Sequence, residues 1–189
     1  MLLVAGAALG LIAGLLTGGS LHNLLSRRLR WPVVVIAAFL VKELEFRSPL
    51  GTSPAGPAVF VISLLVLIAW TIWHRDELPG IWLVAAGMSM NAVVVLANAG
   101  HMPVVQAAAY LGPPQLRQQG TWAEYALMGP DTRLGWLGDW VMFPGLLGRL
   151  FPQAYSPGDI VSLAGLTIVL FLATRARRVA ETRGAITTP

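Results

Sequence analysis

Residues 57–73 read PAVFVISLLVLIAWTIW, an apolar run without a single charged side chain. A run of this length and composition is typical of a helix that crosses the roughly 30 Å hydrocarbon core of a bilayer. Hydrophobic residues make up 56% of the 189-residue chain and charged residues only 12%, against about 25% in soluble proteins. The sequence therefore predicts an integral membrane protein.

Similar apolar runs lie on both sides of this stretch, separated by turn-rich or basic connections. They predict an all-α, polytopic membrane helix bundle that forms a single domain over residues 1–189. The transmembrane helices are expected at about 2–18, 31–46, 57–73, 81–100 and 157–174. The long connection, called here the cap segment (residues 101–157), is expected to cover the outer end of the bundle, with its polar part, 115–125, facing solvent.

The segment 134–151, LGWLGDWVMFPGLLGRLF, is long enough to be a sixth crossing. It contains Asp139 and is interrupted by Pro144-Gly145, and a sixth crossing would place the basic run 175–178 outside the membrane. We therefore expect a re-entrant or interfacial hairpin that bends at Pro144-Gly145 and is covered by protein or water.

The arginines and tryptophans predict the orientation. An outside amino terminus and a cytoplasmic carboxyl terminus satisfy the positive-inside rule, because most arginines then face the cytoplasm. These are Arg27, Arg28, Arg30, Arg75, Arg175, Arg177, Arg178 and Arg183, against Arg47, Arg117, Arg133 and Arg149 outside. The same orientation gives two interfacial belts, with Trp31, Trp70, Trp73 and Trp82 inside and Trp122, Trp136 and Trp140 outside.

The first apolar run has a glycine at every fourth position: Gly6, Gly10, Gly14 and Gly18. This glycine zipper forms a bare ridge along one helical face, where another helix can approach closely. The pattern predicts helix packing, either within the chain or against a second copy or a membrane-protein partner.

Two asparagines interrupt the run NAVVVLANAG (91–100). On a helix, Asn91 and Asn98 lie on one face about 10.5 Å apart. Each amide needs hydrogen-bond partners where water is scarce. They are expected either to join helices or to line a polar, ligand-binding pocket that opens to the outside.

Three further side chains are candidates for the same pocket. His101 follows the helix stop at Gly100 and lies either at the membrane interface or at a pocket mouth, where it can titrate near neutral pH. Asp139 lies in an apolar segment and requires a partner, either an ion pair or a ligand. Asp159 in SPGD (156–159) fits a capping box with Ser156, with a ligand contact as the alternative.

Several classes of function are excluded or unsupported. The chain has no cysteine, so disulfides and thiolate chemistry are excluded, and its three histidines lack metal-ligand spacing. No nucleotide-binding loop and no basic patch typical of nucleic-acid binding is present. We therefore predict no metal, no cofactor and no nucleic-acid partner.

The motifs NAGHMPV (98–104), DWVMFP (139–144) and SPGD (156–159) together resemble an uncharacterised family of small bacterial multi-pass membrane proteins, a domain of unknown function. The resemblance carries no activity, cofactor or substrate. It implies a bacterial cytoplasmic (inner) membrane location and a shared signature: Asn98, Gly100, Met102, Pro103, Asp139, Pro144, Ser156, Pro157, Gly158 and Asp159.

The leading hypothesis is a non-enzymatic membrane protein that binds or passes a small polar or amphiphilic ligand. Its outer-facing pocket would be lined by Asn91, Asn98, His101, Asp139 and Asp159. Two alternatives remain open. The chain could be an accessory subunit that docks through the glycine ridge, or a lipid-processing enzyme that uses Asp139 or Asp159 with His101.

Overall fold

A computed structural model describes residues 2–27 and 29–175. Five long helices form the body of the molecule: α1 (Leu2–Leu16), α3 (Pro32–Arg47), α4 (Gly56–Trp73), α5 (Ile81–Ala97) and α8 (Pro157–Arg175). Three short ones lie between them: α2 (Leu21–Leu25), α6 (Pro114–Gln119) and α7 (Gly145–Leu150). The long helices coincide within about three residues with the five apolar runs.

Proline and glycine lie at the ends of several of these helices. Proline lies in the first turn of α3 and of α4, where its missing N–H costs no helical hydrogen bond. Helix α5 ends at Ala97, and Gly100 follows with a φ of 88°, a left-handed conformation that glycine adopts without strain.

Among the residues that the structure describes, only α4 and α8 are long and apolar enough to cross a membrane by length and composition. The prediction of five transmembrane helices is therefore not supported. α1 has 15 residues, α3 has 16 and α5 has 17, whereas about 20 residues are needed to span 30 Å at 1.5 Å per residue.

Neighbouring helices contact one another in the order α1–α8–α5–α4–α3. α1 and α8 run parallel, since Gly6 lies against Leu163 and Gly14 lies against Thr174. α5 and α8 run antiparallel, since Gly87 lies against Ser162 near the start of α8. α8 is therefore the central helix, with α1 on one side and α5 on the other.

α4 runs antiparallel to both of its neighbours, α3 and α5. The indole N–H of Trp70, near the end of α4, donates to the carbonyl of Arg30, just before α3 begins. At the opposite end, Gly100 after α5 lies against Pro57 at the start of α4. Along the chain, successive long helices thus point in opposite directions.

The glycine seam, as we call the contact of Gly6, Gly10 and Gly14 with α8, packs α1 closely. All three glycines are buried, and a Cβ on Gly10 would overlap the backbone of Thr167. The Thr167 hydroxyl donates to the Gly6 carbonyl over 3.0 Å. Gly18 does not belong to the seam: α1 has ended at Leu16, and Gly18 takes a φ of 90° with open space around it.

The cap segment departs from the all-α prediction, because it contains two small sheets. In the first, β1 (Met102–Val104) pairs parallel with β3 (Tyr125–Leu127), and β2 (Thr121–Trp122) pairs antiparallel with β3. In the second, β4 (Val141–Met142) pairs with β5 (Ala154–Tyr155). Pro103 favours strand over helix at β1, since it restricts the preceding residue to extended conformations.

The segment 134–151 is neither a sixth crossing nor a simple hairpin. It consists of a 3-10 turn (Gly135–Leu137), the strand β4 and the short helix α7. The break expected at Pro144-Gly145 is real, and it marks the start of α7 rather than the tip of a hairpin, with Gly145 at a φ of 61°.

Candidate functional site

A cavity of about 520 Å³, called here the recess, lies where the end of α3, the start of α8 and the cap segment meet. This volume is within the range of about 300–1,000 Å³ that is usual for small-molecule sites. Its polar lining consists of Lys42, Tyr125, Asp139, Gln153, Tyr155 and Asp159. Apolar side chains supply the other wall: Phe46, Val104, Ala108, Leu111, Pro113 and Leu116.

Lys42 binds a buried carboxylate. Its ammonium lies 2.8 Å from Glu124 Oε1, and the Glu124 side chain is only 2% exposed. α3 supplies Lys42 from its last turns, and the loop between β2 and β3 supplies Glu124. This ion pair joins α3 to the cap segment, and it neutralises the one cation that lines the recess among the described residues.

Asp139 is positioned by its own backbone. Its N–H donates to the Pro103 carbonyl over 2.8 Å, and its carbonyl accepts from the Val105 N–H over 3.0 Å. The residue is 6% exposed, and Oδ1 has no hydrogen-bond partner among the described residues. Burial first, and then the nearby Asp159 carboxylate, raise the pKa of Asp139 well above 3.8.

Asp159 is held within a network at the start of α8. Its Oδ2 accepts from the Ser156 N–H over 3.1 Å, and its own N–H donates to the Ser156 hydroxyl over 2.9 Å. These two bonds confirm the predicted capping box. The Asn91 amide donates to Asp159 Oδ1 over 2.9 Å and accepts from the Ser156 hydroxyl over 2.8 Å, so α5 and α8 are joined there.

Two tyrosines complete the polar wall. Burial raises the pKa of Tyr125 well above 10.0, with the Glu124 carboxylate acting in the same direction. Burial also raises the pKa of Tyr155 above 10.0. Both hydroxyls therefore remain protonated near neutral pH and can donate. The Tyr155 hydroxyl is buried and has no partner among the described residues.

Another buried carboxyl lies near the recess. Glu45, one turn after Lys42 on α3, is 0% exposed, and neither of its carboxyl oxygens has a hydrogen-bond partner in the described part of the chain. Its backbone carbonyl lies close to Gly51 in the turn that follows α3.

The structure separates the five candidate residues into two groups. Asp139 and Asp159 line the recess, and Asn91 supports it through Asp159. Asn98 does not line it. Its amide donates to the carbonyls of Val94 and Arg133 and accepts from the Arg133 N–H, over 2.7, 2.7 and 2.9 Å. Asn98 therefore fastens the cap segment to the end of α5.

His101 also lies apart from the recess. It lines a separate cavity of about 300 Å³, together with residues of the turn before α4 and of β2. No hydrogen bond joins its imidazole to Asp139 or Asp159 in the described residues. The pairing of His101 with a carboxylate, on which the enzyme alternative depends, is not formed.

The sequence interpretation missed Glu124, Tyr125 and Tyr155. The segment 115–125 was expected to face solvent, and this is wrong for Glu124, which is 1% exposed. Its burial follows from the parallel pairing of β1 with β3, a long-range contact without a local signal. Position 155 carried a weak signal, since an aromatic residue directly precedes the SPGD cap.

The chemistry available here is binding rather than a recognisable reaction. Within residues 2–27 and 29–175, no group of three or more histidine or acidic side chains could hold a metal ion. The recess offers a carboxyl, two phenols and an apolar wall, without a nucleophile activated by a base. The hydrogen bonds between Asn91 and Asp159 belong to the fold, whereas Asp139 and Tyr155 are the described lining residues with a buried polar atom that has no partner.

The comparisons with known proteins show a family and no activity. A model of a family of unknown function, DUF5317, matches residues 26–171. The chain therefore belongs to that family, as the resemblance of its motifs to an uncharacterised family implied. The match includes the recess and the cap segment, whereas α1 precedes it. No curated protein and no solved structure matches the chain.

Proposed function

We propose that this member of the DUF5317 family is a multi-pass membrane protein that binds a small polar or amphiphilic ligand in the recess. The observation that carries the proposal is the combination of an apolar wall with buried, unpartnered polar groups, Asp139 Oδ1 and the Tyr155 hydroxyl. A buried polar atom without a partner is costly, and in a cavity of this size a ligand can satisfy it.

Lipid contact is supported by the exposed surfaces of the helices. Only 22% of the apolar window of α4 and 33% of that of α8 is buried inside the protein. α1, α3 and α5 also expose large apolar side chains, including Leu9, Phe39 and Val93. In a soluble protein, such surfaces would be covered, so they indicate a lipid environment.

The alternating helix directions support five crossings, in which the three shorter helices cross where the bilayer adapts to them. In the proposed topology, the amino terminus and the cap segment lie outside the bacterial inner membrane and the carboxyl terminus inside.

Maleimide labelling of introduced cysteines tests this topology. The chain has no cysteine, so a single introduced cysteine is the only labelling site. D131C should react with an impermeant maleimide on intact cells, and D76C only after permeabilisation; the reverse pattern would refute the topology.

Ligand binding is tested with four heptyl compounds that differ in the head group: heptanol, heptylamine, heptanoate and heptyl glucoside. The readout is the thermal unfolding midpoint of the full chain in phosphatidylcholine nanodiscs. At least one compound should raise the midpoint. Gln153→Trp, at an exposed position of the recess lining, should abolish that rise, and Gln118→Trp, exposed elsewhere on the cap segment, should retain it.

The heptyl compounds also partition into the lipid, and this affects all variants alike. The difference in midpoint shift between Gln153→Trp and Gln118→Trp therefore reports binding in the recess alone. If no compound gives a rise that depends on position 153, the proposed function is wrong.

A further inference from the structure

The partners already present in the recess show which of its charges are available. The Lys42 ammonium is bound to Glu124 at 2.8 Å. Both Asp159 oxygens accept hydrogen bonds from the protein, one from Asn91 and one from the Ser156 backbone. The cation and one of the two lining carboxylates are therefore occupied by the fold itself.

Asp139 and Tyr155 remain. The Asp139 and Tyr155 side chains line the recess, and Asp139 Oδ1 and the Tyr155 hydroxyl oxygen are buried without a partner within the described residues. Both atoms can accept a hydrogen bond, and the carboxyl can also supply a negative charge. These groups fit a ligand that donates hydrogen bonds and carries a positive charge.

An anionic ligand fits poorly. Burial and the Asp159 carboxylate disfavour further negative charge beside Asp139, Lys42 opposes them in part, and Glu124 adds to them. A carboxylate or phosphate head group would add to this repulsion, and the one cation among the described lining residues is bound to Glu124. The charge distribution thus discriminates between head groups, as a repulsive arrangement does in other specific sites.

The opposite wall of the recess is apolar. Ala108 and Leu116 are buried, and Leu111 lies beside them with half of its surface exposed. A short hydrocarbon tail that packs there loses contact with water, at about 25 cal/mol per Å² of apolar area.

We infer that the ligand of the recess is an amphiphilic amine, whose ammonium group binds Asp139 Oδ1 and the Tyr155 hydroxyl and whose apolar tail packs against Ala108, Leu111 and Leu116. This inference rests on the proposed function and specifies its ligand class. It assigns to Asp139 the role of a head-group ligand rather than that of a structural ion pair.

Binding is then coupled to a proton. In the empty recess, the raised pKa of Asp139 favours its uncharged form, and a bound ammonium stabilises the carboxylate. The groups that face Asp139 are Lys42, Glu124, Tyr125, Tyr155 and Asp159. Amine binding therefore releases one proton from Asp139, and the affinity increases with pH until Asp139 is ionised without ligand.

The test compares heptylamine, heptanol and heptanoate, which share one tail, by titration calorimetry on the full chain in phosphatidylcholine nanodiscs. Heptylamine should bind at least tenfold more tightly than the other two. Asp139→Asn keeps the shape of the side chain and should weaken heptylamine binding at least tenfold. Asp131→Asn, an exposed position in the same segment, is the matched control and should leave it unchanged.

Titrations in two buffers of different ionisation enthalpy should show release of a proton by the wild type and none by Asp139→Asn. If heptanol or heptanoate binds as tightly as heptylamine, or if Asp139→Asn retains the heptylamine affinity, the amine assignment is wrong. In that case, a rise with heptanol that depends on position 153 would still support the proposed ligand binding. Failure of all three compounds to bind would overturn the amine assignment, and the proposed function would be overturned with it if heptyl glucoside also gives no rise that depends on position 153.

Discussion

The glycine seam and the recess both involve α8, and they differ in how well their buried groups are satisfied. In the seam, the backbones of α1 and α8 lie in close contact. The Thr167 hydroxyl there has both the Gly6 carbonyl and the Leu163 carbonyl as hydrogen-bond partners. In the recess, buried carboxyl and phenol oxygens have no partners within the described part of the chain. Stability alone does not explain such groups. The comparison therefore fits a stabilising role for the seam and the ligand binding that we propose for the recess.

The largest effect is expected from filling the seam. Gly10→Leu forces a side chain into the backbone of Thr167, and the overpacking should cost about 3 kcal/mol of unfolding free energy. Ala8→Leu, on the exposed face of the same helix, should cost under about 0.5 kcal/mol. Unfolding in mixed micelles with increasing denaturing detergent measures both variants. Equal stability of the two would mean that α1 does not pack on α8 through Gly10.

A somewhat smaller loss of unfolding free energy is expected from removing the cation at the end of α3 that lines the recess. Lys42→Met leaves Glu124 buried without its cation and should cost about 2–3 kcal/mol, since the Lys42 side chain is 37% exposed and water can compensate in part. Arg47→Met breaks an exposed ion pair with Glu43 on the same helix and should cost under about 0.5 kcal/mol.

The double variant Lys42→Met/Glu124→Gln removes both charges and should recover most of the loss. A double variant as unstable as Lys42→Met would show that packing of the lysine stem, rather than the buried charge, determines the effect.

The smallest effect is expected in the pH dependence of the free energy of unfolding. The folded-state pKa of Asp139 is raised, so its contribution to stability is complete below 3.8 and is lost as pH rises towards the folded-state value. In this window the wild type should lose up to about 1.4 kcal/mol per pH unit relative to Asp139→Asn. Unfolding curves of both proteins at a series of pH values give the difference. Parallel profiles would mean that Asp139 is not buried as an uncharged group.

Much of the helical body could be predicted from the sequence because its signals are local. Apolar runs ended by Gly or Pro fixed α4 and α5 to within a few residues, and SPGD showed the capping box of α8 directly. Asn91 was recognised because an amide in an apolar run requires a partner, and its partners are Asp159 and Ser156.

The recess could be predicted only in part. Strands of two or three residues, such as β2 and β3, are too short to show a period-two pattern, so the sheets of the cap segment have no local signature. Glu124 faces Lys42 only because β3 pairs with the distant β1. For the same reason, His101 and Asn98, which precede Met102 by one and four residues, lie outside the recess that Asp139 lines.

The central position of α8 has a consequence for how the chain assembles during synthesis. α3, α4 and α5 can pair with their sequence neighbours as soon as they leave the ribosome, whereas the partner of α1 is made after all the other described helices. The ridge of α1 therefore stays uncovered until residues 157–175 have been synthesised, and the contact between α1 and α8 is among the last to form.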